Sequence, residues 1–228
     1  MRISVITFPG SNCDHDAYRA CQSRGHQTKL IWHKDTNLEH PDLVILPGGF
    51  SYGDYLRCGA LARFSPIVQE VMAFAKKGGL LMGICNGFQI LTECGLLPGT
   101  LLMNSSLEFI CKHQFIKVET QASPFTCSIY KGKVLDIPIA HKEGNYFIDG
   151  NGLKQLQDND QILFRYCDSE GNINMESNPN GSLDNIAGIC NKQRNILGMM
   201  PHPERSTTET VISKDGRQIF EAVEKALA

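Results

Sequence analysis

The sequence lacks long hydrophobic runs and an excess of charge of either sign. No apolar stretch among its 228 residues approaches the ~18–20 residues that a membrane-spanning helix needs. The first apolar run, Ile3–Phe8, is short and ends at Pro9-Gly10, which is typical of a buried strand and not of a signal peptide. The 22 Lys and Arg against 24 Asp and Glu give a net charge of -2. This balance removes the electrostatic reason to expect a nucleic acid or an anionic membrane as partner.

Cysteine pairs at metal-binding spacing are also absent. The nine cysteines are an odd number, are scattered along the chain and include no CxxC pair. This pattern argues against a disulfide framework and against a zinc ribbon. It favours a reducing cytoplasm, where most of these thiols serve as small core residues.

The first part of the chain alternates short apolar runs with helical patterns. Strands are predicted at Ile3–Phe8, Lys29–Trp32, Leu43–Leu46 and Leu80–Ile84, and helices at Asp14–Arg24, Pro66–Lys77 and Asn86–Glu93. Ser65 is the predicted N-cap of the second helix. Such alternation implies parallel pairing, so we predict an α/β fold with a doubly wound, mostly parallel sheet flanked by helices.

The middle of the chain, from about Thr100 to Asn185, departs from this alternation. Its strand candidates lie between polar turns, at Gln114–Glu119, Lys133–Ala140 and Ile162–Cys167. We interpret them as extra strands of the same domain. The last stretch returns to buried strands at Ile186–Cys190 and Ile196–Met199 and ends in an amphipathic helix near Gly216–Leu227.

The run Gly83-Ile84-Cys85-Asn86-Gly87 joins a predicted buried strand directly to a helix. This pattern has the form of a nucleophile elbow, a tight turn that lifts its central side chain clear of the sheet edge. Cys85 would lie at a helix N-terminus, where unpaired N–H groups and the helix dipole favour a thiolate. The amide of Asn86 would face the same place and stabilise an oxyanion.

A cysteine nucleophile needs a base, and His202 is the histidine whose surroundings best suit that role. It lies in Pro201-His202-Pro203-Glu204, where two prolines stiffen the turn after a predicted strand. Glu204 would orient the imidazole and stabilise its protonated form, as the third member of a triad does. Both motifs follow predicted parallel strands, whose carboxyl ends are where doubly wound sheets place their sites.

Pro47-Gly48-Gly49-Phe50 follows another predicted strand at the same edge. Glycines let a backbone approach a substrate closely and leave N–H groups free. We therefore predict that Gly49 and Phe50 supply a second oxyanion donor beside Asn86.

These motifs together resemble those of the class I, triad-type glutamine amidotransferases. The resemblance rests on Gly83-x-Cys85-x-Gly87-x-Gln89, on the Pro-Gly-Gly before it and on the Pro-His-Pro-Glu after it, and it covers most of the chain. Longer motifs at 8–14, 48–57 and 138–144 are similar to those of glutaminase subunits of phosphoribosylformylglycinamidine synthases. Cys58 and Lys142 depart from that pattern, in which a small residue is more usual. The resemblance implies a flavodoxin-like fold and a single glutamine amidotransferase type 1 domain over residues 1–228.

The resemblance also implies a mechanism. Cys85 attacks the side-chain amide of glutamine, His202 moves the proton, Glu204 orients His202, and water hydrolyses the resulting thioester to glutamate. Gln89 is implied to bind glutamine. Three further residues are implied to contact the substrate through their backbone: Asn104, Ser105 and Ser106.

The implied partner is an ATP-dependent synthetase subunit, with a small accessory subunit beside it. The synthetase would use the ammonia to make formylglycinamidine ribonucleotide in de novo purine biosynthesis. This chain has neither a GxxxxGK[ST] loop nor a GxGxxG fingerprint after a strand, so it is predicted to hold no cofactor, and ATP and Mg are assigned to the partner. The residues implied at the interface are Asp54, Tyr55, Arg57, His141 and Glu143. His141 and Glu143 have no third ligand at suitable spacing, so we expect no metal.

The residues leave two other interpretations open. The same elbow and triad would also serve a synthetase that makes guanylate, cytidylate or anthranilate, or a flavodoxin-like cysteine peptidase or chaperone. A second possibility is a module of this fold that only binds and regulates a partner, although the presence of Cys85, His202 and Glu204 argues against it.

Overall fold

The computed structural model describes residues 1–208 and 212–228, and within them the chain forms eleven β-strands and five α-helices. The strands are β1 (Arg2–Thr7), β2 (Gln27–Trp32), β3 (Leu43–Leu46), β4 (Leu80–Ile84), β5 (Thr100–Leu102), β6 (Ile110–Val118), β7 (Val134–His141), β8 (Asn145–Phe147), β9 (Ile162–Tyr166), β10 (Ile186–Cys190) and β11 (Ile196–Met199). The helices are α1 (Asp14–Gln22), α2 (Pro66–Lys76), α3 (Asn86–Glu93), α4 (Gly150–Asp158) and α5 (Arg217–Leu227). No helix in this part of the chain is long and apolar enough to cross a membrane.

Nine of the described strands form one sheet, in the order β2-β1-β3-β4-β11-β10-β9-β6-β7. The five strands from β2 to β11 are parallel, and the ladders from β11 to β7 are antiparallel. The predicted α/β fold is therefore confirmed, and five of the nine strands of the sheet are parallel. The antiparallel part consists of β10 and the extra strands predicted in the middle of the chain.

The central strands of the sheet explain why the core lies where it does. Every residue of β3, β4, β10 and β11 is buried. Strands in the interior of a sheet that is covered on both faces have this continuous apolar pattern, whereas the edge strand β7 alternates buried and half-buried residues because its two faces differ. The buried strands fix the positions of the loops that follow them.

Three short elements were not predicted: β5, β8 and α4. Strands β5 and β8 form a separate two-stranded sheet. Helix α4 is nine residues long and buries only Leu156. Its clearest start signal is Asp149, whose carboxylate accepts a hydrogen bond of 2.6 Å from the Gly152 N–H.

Ser65 occupies the predicted N-cap position of α2 but does not cap the helix with its side chain. Its hydroxyl instead hydrogen-bonds the hydroxyl of Tyr52 at 2.8 Å. Tyr52 also bonds His33 Nδ1 at 2.7 Å. The expected cap is thus replaced by an attachment of the 51–57 loop to the body of the protein.

The close packing of α3 against β3 generates a stability prediction. A Cβ at Gly87 would collide with the carbonyl oxygen of Leu46. We expect Gly87→Ala to lower the free energy of unfolding by ~1–3 kcal/mol, measured by urea denaturation. Gly150→Ala is the matched control, because a Cβ there meets nothing within 4 Å. Equal stability of the two variants would contradict this account of the packing.

Candidate active site

The carboxyl ends of three adjacent strands bring the predicted catalytic residues together. Strands β3, β4 and β11 are neighbours, and their last residues lie level, with Leu46 beside Gly83 and Ile84 beside Met199. The segments after β4, β11 and β3 carry Cys85, His202 and Gly49 respectively. Residues more than a hundred positions apart therefore meet at one edge of the sheet, as parallel topology requires.

Cys85 lies in the strained turn that the motif predicts. Its φ is 50° and its ψ is -105°, in a region that residues other than glycine rarely adopt. Its N–H donates to the Met199 carbonyl at 2.8 Å, which fixes the turn to β11. A Cβ at Gly83 would lie 2.8 Å from the carbonyl oxygen of Gly87, a backbone atom that cannot easily move, so glycine is required there. Cys85 Sγ lies 3.7 Å from the carbonyl oxygen of Ala140.

His202 and Glu204 form a buried pair. His202 is 1% exposed and Glu204 4%, and Nδ1 of His202 lies 2.7 Å from Oε1 of Glu204. An ionised carboxylate only accepts hydrogen bonds, so Nδ1 carries a proton and Nε2 is the nitrogen left to accept one. Burial alone would lower the pKa of His202, but the adjacent carboxylate of Glu204, and after it the Cys85 sulfur, raise that pKa well above its usual value.

Cys85 and His202 interact mainly through charge. Among the described residues, the buried Nε2 of His202 has no hydrogen-bond partner at conventional distance, while the sulfur still contributes to the raised pKa of the ring. Nucleophile–base contacts are often loose before substrate binds. The arrangement can pass a proton from sulfur to imidazole once the pair tightens.

The two predicted oxyanion segments differ in what they offer. The N–H of Asn86 begins α3 and has no backbone acceptor within the described chain, as expected for the first helical turn. The N–H of Phe50 donates to the Gly10 carbonyl at 3.1 Å, so it does not face the nucleophile. Gly49, at φ 129°, makes no such backbone bond in the described residues. The oxyanion roles of Asn86 and Gly49 stay predictions. The role predicted for Phe50 is corrected, because its N–H is bonded to Gly10.

Gln89 lies one turn after Cys85, and its amide is occupied within the protein. Its Nε2 donates to the carbonyl of Glu143 at 2.7 Å, and its Oε1 accepts from Asn86 Nδ2 at 2.9 Å. Gln89 is 5% exposed. In this conformation it holds the 141–144 loop against the elbow, and its predicted contact with glutamine stays a prediction.

Asn104 is placed differently from the sequence prediction. It is completely buried, its N–H donates to the Lys142 carbonyl at 2.8 Å, and its Oδ1 accepts from Gly144 N–H at 3.1 Å. Asn104 therefore supports the 141–144 loop instead of facing a substrate. Ser105 and Ser106 are exposed on the adjoining loop, with the Ser105 N–H bonded to the Asn180 carbonyl at 3.0 Å.

His141 is not at the surface, which corrects its prediction as an interface residue. It is 3% exposed, and its Nδ1 lies 3.0 Å from Oδ1 of Asn104. Burial first, and then the positive charge of His202, lower its pKa to about 4. The polar residues that follow His141 in the sequence suggested an exposed loop. Its burial instead results from its place at the end of β7.

The other predicted interface residues lie at or near the surface. Tyr55 is 70% exposed, and Arg57 is exposed and pairs with Glu93 at 2.7 Å. Asp54 is half-buried and accepts a hydrogen bond of 3.3 Å from Asn86 Nδ2. Glu143 is half-buried, with its carbonyl bonded to Gln89. The exposed loop is thus linked by hydrogen bonds to the residue after the nucleophile.

Cys13 is the residue near the site that sequence reasoning missed. Its sulfur lies within 4.8 Å of a nitrogen of His202 and an oxygen of Glu204, a spacing compatible with a metal. The donor set does not suit a cation, however. Arg205 Nη2 already lies 3.1 Å from the sulfur, and His202 Nδ1 bonds Glu204. The signal that could have located Cys13 is its place in the 8–14 motif.

The lowered pKa of His141 predicts a loss of stability in acid. Below the usual value of 6.5 the unfolded chain binds a proton that the folded protein refuses until about pH 4. The free energy of unfolding therefore falls by up to ~3 kcal/mol as pH drops through this window. We expect His141→Gln to make this fall shallower in urea titrations between pH 6.5 and 4. The exposed His15→Gln is the control, and an unchanged slope in His141→Gln would contradict the assignment.

Comparison with known proteins agrees with this geometry. The family model of the CobB/CobQ-like glutamine amidotransferase domain matches residues 1–225. The phosphoribosylformylglycinamidine synthase subunit PurQ of Koribacter versatilis is 54% identical, over 100% of this chain and 99% of that relative.

Solved structures give the same result. A chain in the structure of PurLQS from Thermotoga maritima superposes with a TM-score of 0.88 at 43% identity, covering 100% of this chain and 99% of the other. Another glutamine amidotransferase from Thermotoga maritima, at 17% identity and a TM-score of 0.56 with 100% and 84% covered, shares the fold alone. The family expected from the motifs is confirmed: the chain belongs to the glutamine amidotransferases, in the group of the PurQ subunits of phosphoribosylformylglycinamidine synthase.

Proposed function

We propose that this protein is the glutaminase subunit of a phosphoribosylformylglycinamidine synthase. It hydrolyses glutamine to glutamate and ammonia and passes the ammonia to an ATP-dependent synthetase subunit. That subunit makes formylglycinamidine ribonucleotide in de novo purine biosynthesis. The observation that carries the proposal is the buried His202–Glu204 pair, 2.7 Å apart, at the strand edge that holds Cys85. The PurQ name of the similar relatives supports the same activity.

The first half of the reaction forms a thioester. His202 Nε2 takes the proton from Cys85, and the sulfur attacks the carboxamide carbon of glutamine. The N–H groups of Asn86 and Gly49 stabilise the oxyanion, and such donors typically contribute ~2.7–4 kcal/mol each. The imidazolium, stabilised by Glu204, then protonates the leaving nitrogen, and ammonia departs.

The second half reverses the roles of the same groups. His202 takes a proton from water, which attacks the thioester carbon and forms a second oxyanion at the same donors. The carbon–sulfur bond breaks, glutamate leaves, and the sulfur recovers its starting state. Cys85 is only 5% exposed, so ammonia is released inside a protein-lined site and not directly into solvent.

The synthetase partner is proposed to hold ATP and Mg and to be accompanied by a small accessory subunit. The similar Thermotoga maritima chain comes from the structure of PurLQS, which supports an assembly of this kind. We also propose a cytoplasmic location. All nine cysteines are free, as is usual for proteins of a reducing compartment.

The 51–57 loop is the proposed docking contact. Leu56 is 78% exposed and Tyr55 70%, which is unusual for large apolar side chains beside a site. Next to them, Phe50 and Phe109 pack with ring centroids 6.4 Å apart, and both are about half exposed. Exposed aromatic and apolar groups that lie together mark protein interfaces.

Cys85→Ala tests the nucleophile and the division of labour. In the complex with the synthetase we expect glutamine-dependent amidation to fall at least ~10³-fold, because no thioester forms. Synthesis from added ammonium salt stays near wild type, because ammonia use lies on the partner. Both rates are measured as product formation.

Cys127→Ala, at an exposed thiol, is the control for this test. A glutamine-analogue electrophile should label wild type at Cys85 and leave Cys85→Ala unlabelled. Even labelling of all thiols would favour a module that only binds its partner. Loss of ammonium-dependent synthesis in a complex that still assembles would overturn the division of labour.

Leu56→Asp tests the docking contact. A charge placed in an apolar interface costs several kcal/mol, so we expect the Kd for the synthetase to rise at least ~10-fold. Met175→Asp, at an apolar residue that is 88% exposed on another loop, is the matched control. Calorimetric titration gives both constants, and equal Kd values for the two variants would remove this loop from the interface.

A further inference from the structure

The 8–14 motif, which the mechanism does not use, places a second thiol against the triad. Cys13 is 3% exposed at the start of α1. A Cβ added to Gly48 would lie 2.6 Å from His202 Cε1 and 3.2 Å from Cys13 Sγ, so the sulfur packs near the edge of the imidazole. Burial raises the pKa of this thiol, which keeps it protonated. Cys13 therefore acts here as a neutral group.

Arg205 is the chain neighbour of Glu204, yet it bonds elsewhere. Its Nη2 donates to Cys13 Sγ at 3.1 Å, and its Nε donates to Asp16 Oδ2 at 2.9 Å. Meanwhile Oε1 of Glu204 bonds His202, and Oε2 is buried with no hydrogen-bond partner among the described residues. The cation beside the triad carboxylate is thus held by two other side chains.

If the Arg205 guanidinium left Cys13 and Asp16, it could form hydrogen bonds with Glu204, and a neighbouring cavity would give it space to do so. Arginine and carboxylate form strong paired hydrogen bonds, and the free Oε2 would accept them. A cavity of about 300 Å³ borders Asp16, Arg19, Glu204 and Arg205, so the side chain has space to move. Such a pair would divert carboxylate charge from the imidazole.

We propose that Asp16 and Cys13 are positioning residues that keep Arg205 from hydrogen-bonding Glu204, so that the carboxylate hydrogen-bonds His202 alone. The inference rests on the proposed glutaminase function. It assigns a task to Cys13 of the 8–14 motif and to Asp16, which follows that motif in α1. The inference predicts that Arg205, once released from Cys13 and Asp16, pairs with Glu204 and slows the reaction.

The test is a rescue experiment on the glutaminase rate of the complex with the synthetase. Asp16→Asn keeps the shape of the side chain but releases Arg205, so we expect kcat to fall ~10-fold with KM for glutamine within ~2-fold. Asp16→Asn combined with Arg205→Gln should recover kcat to within ~3-fold of wild type, because no cation remains to pair with Glu204. Arg19→Gln, which borders the same cavity, is the matched control and should change neither constant.

Two further variants separate positioning from folding. Cys13→Ser keeps an acceptor for Arg205 and should retain more kcat than Cys13→Ala, and thermal unfolding of each complex checks that the fold is intact. An unchanged kcat in Asp16→Asn, or a double variant as slow as the single one, overturns the inference. Because wild type is measured first, a wild-type complex that does not hydrolyse glutamine overturns the proposed function itself, whereas active wild type with no rescue overturns the role of Arg205 alone.

Discussion

His202 and Glu204 are buried side by side after β11, and neither could carry a charge there without the other. An unpaired charge in such surroundings is driven to neutralise, while a paired one keeps its ionised form at the cost of fixed geometry. The 2.7 Å contact between the two side chains therefore sets the tautomer of the imidazole and the direction of its second nitrogen. The elbow at Cys85, the loop that contains Gly48 and Gly49, and the 141–144 loop all lie around that ring.

The surroundings of the ring show how tightly this arrangement is determined. Gly48 has no room for a side chain against His202, and the His202 N–H is tied to the Pro138 carbonyl at 2.8 Å. His141 contributes a second imidazole nearby, which its depressed pKa keeps neutral. Once His202 has taken the Cys85 proton, one cationic imidazole and one neutral imidazole share a small buried volume without repulsion.

Local patterns were enough to predict the central strands, the elbow and the His202 turn, because each depends on a few neighbouring residues. Leu43–Leu46, Leu80–Ile84 and Asn86–Glu93 begin and end where the sequence indicates. The displaced predictions depend on contacts between distant segments. The N–H of Phe50, predicted to bind an oxyanion, bonds the Gly10 carbonyl instead. Asn104, predicted to contact substrate, bonds the 141–144 loop. No local sequence signal shows which of several N–H groups or amides a remote loop will occupy.

The order of strands in the sheet also determines when, during synthesis, the catalytic residues become available to one another. Strand β11 pairs directly with β4, although more than a hundred residues separate them in the chain. During synthesis, the thiol of Cys85 leaves the ribosome long before the imidazole that activates it, so a nascent chain holds a nucleophile without its base. Glutamine hydrolysis needs both side chains, so it begins only after β11 and the His202 turn have been synthesised.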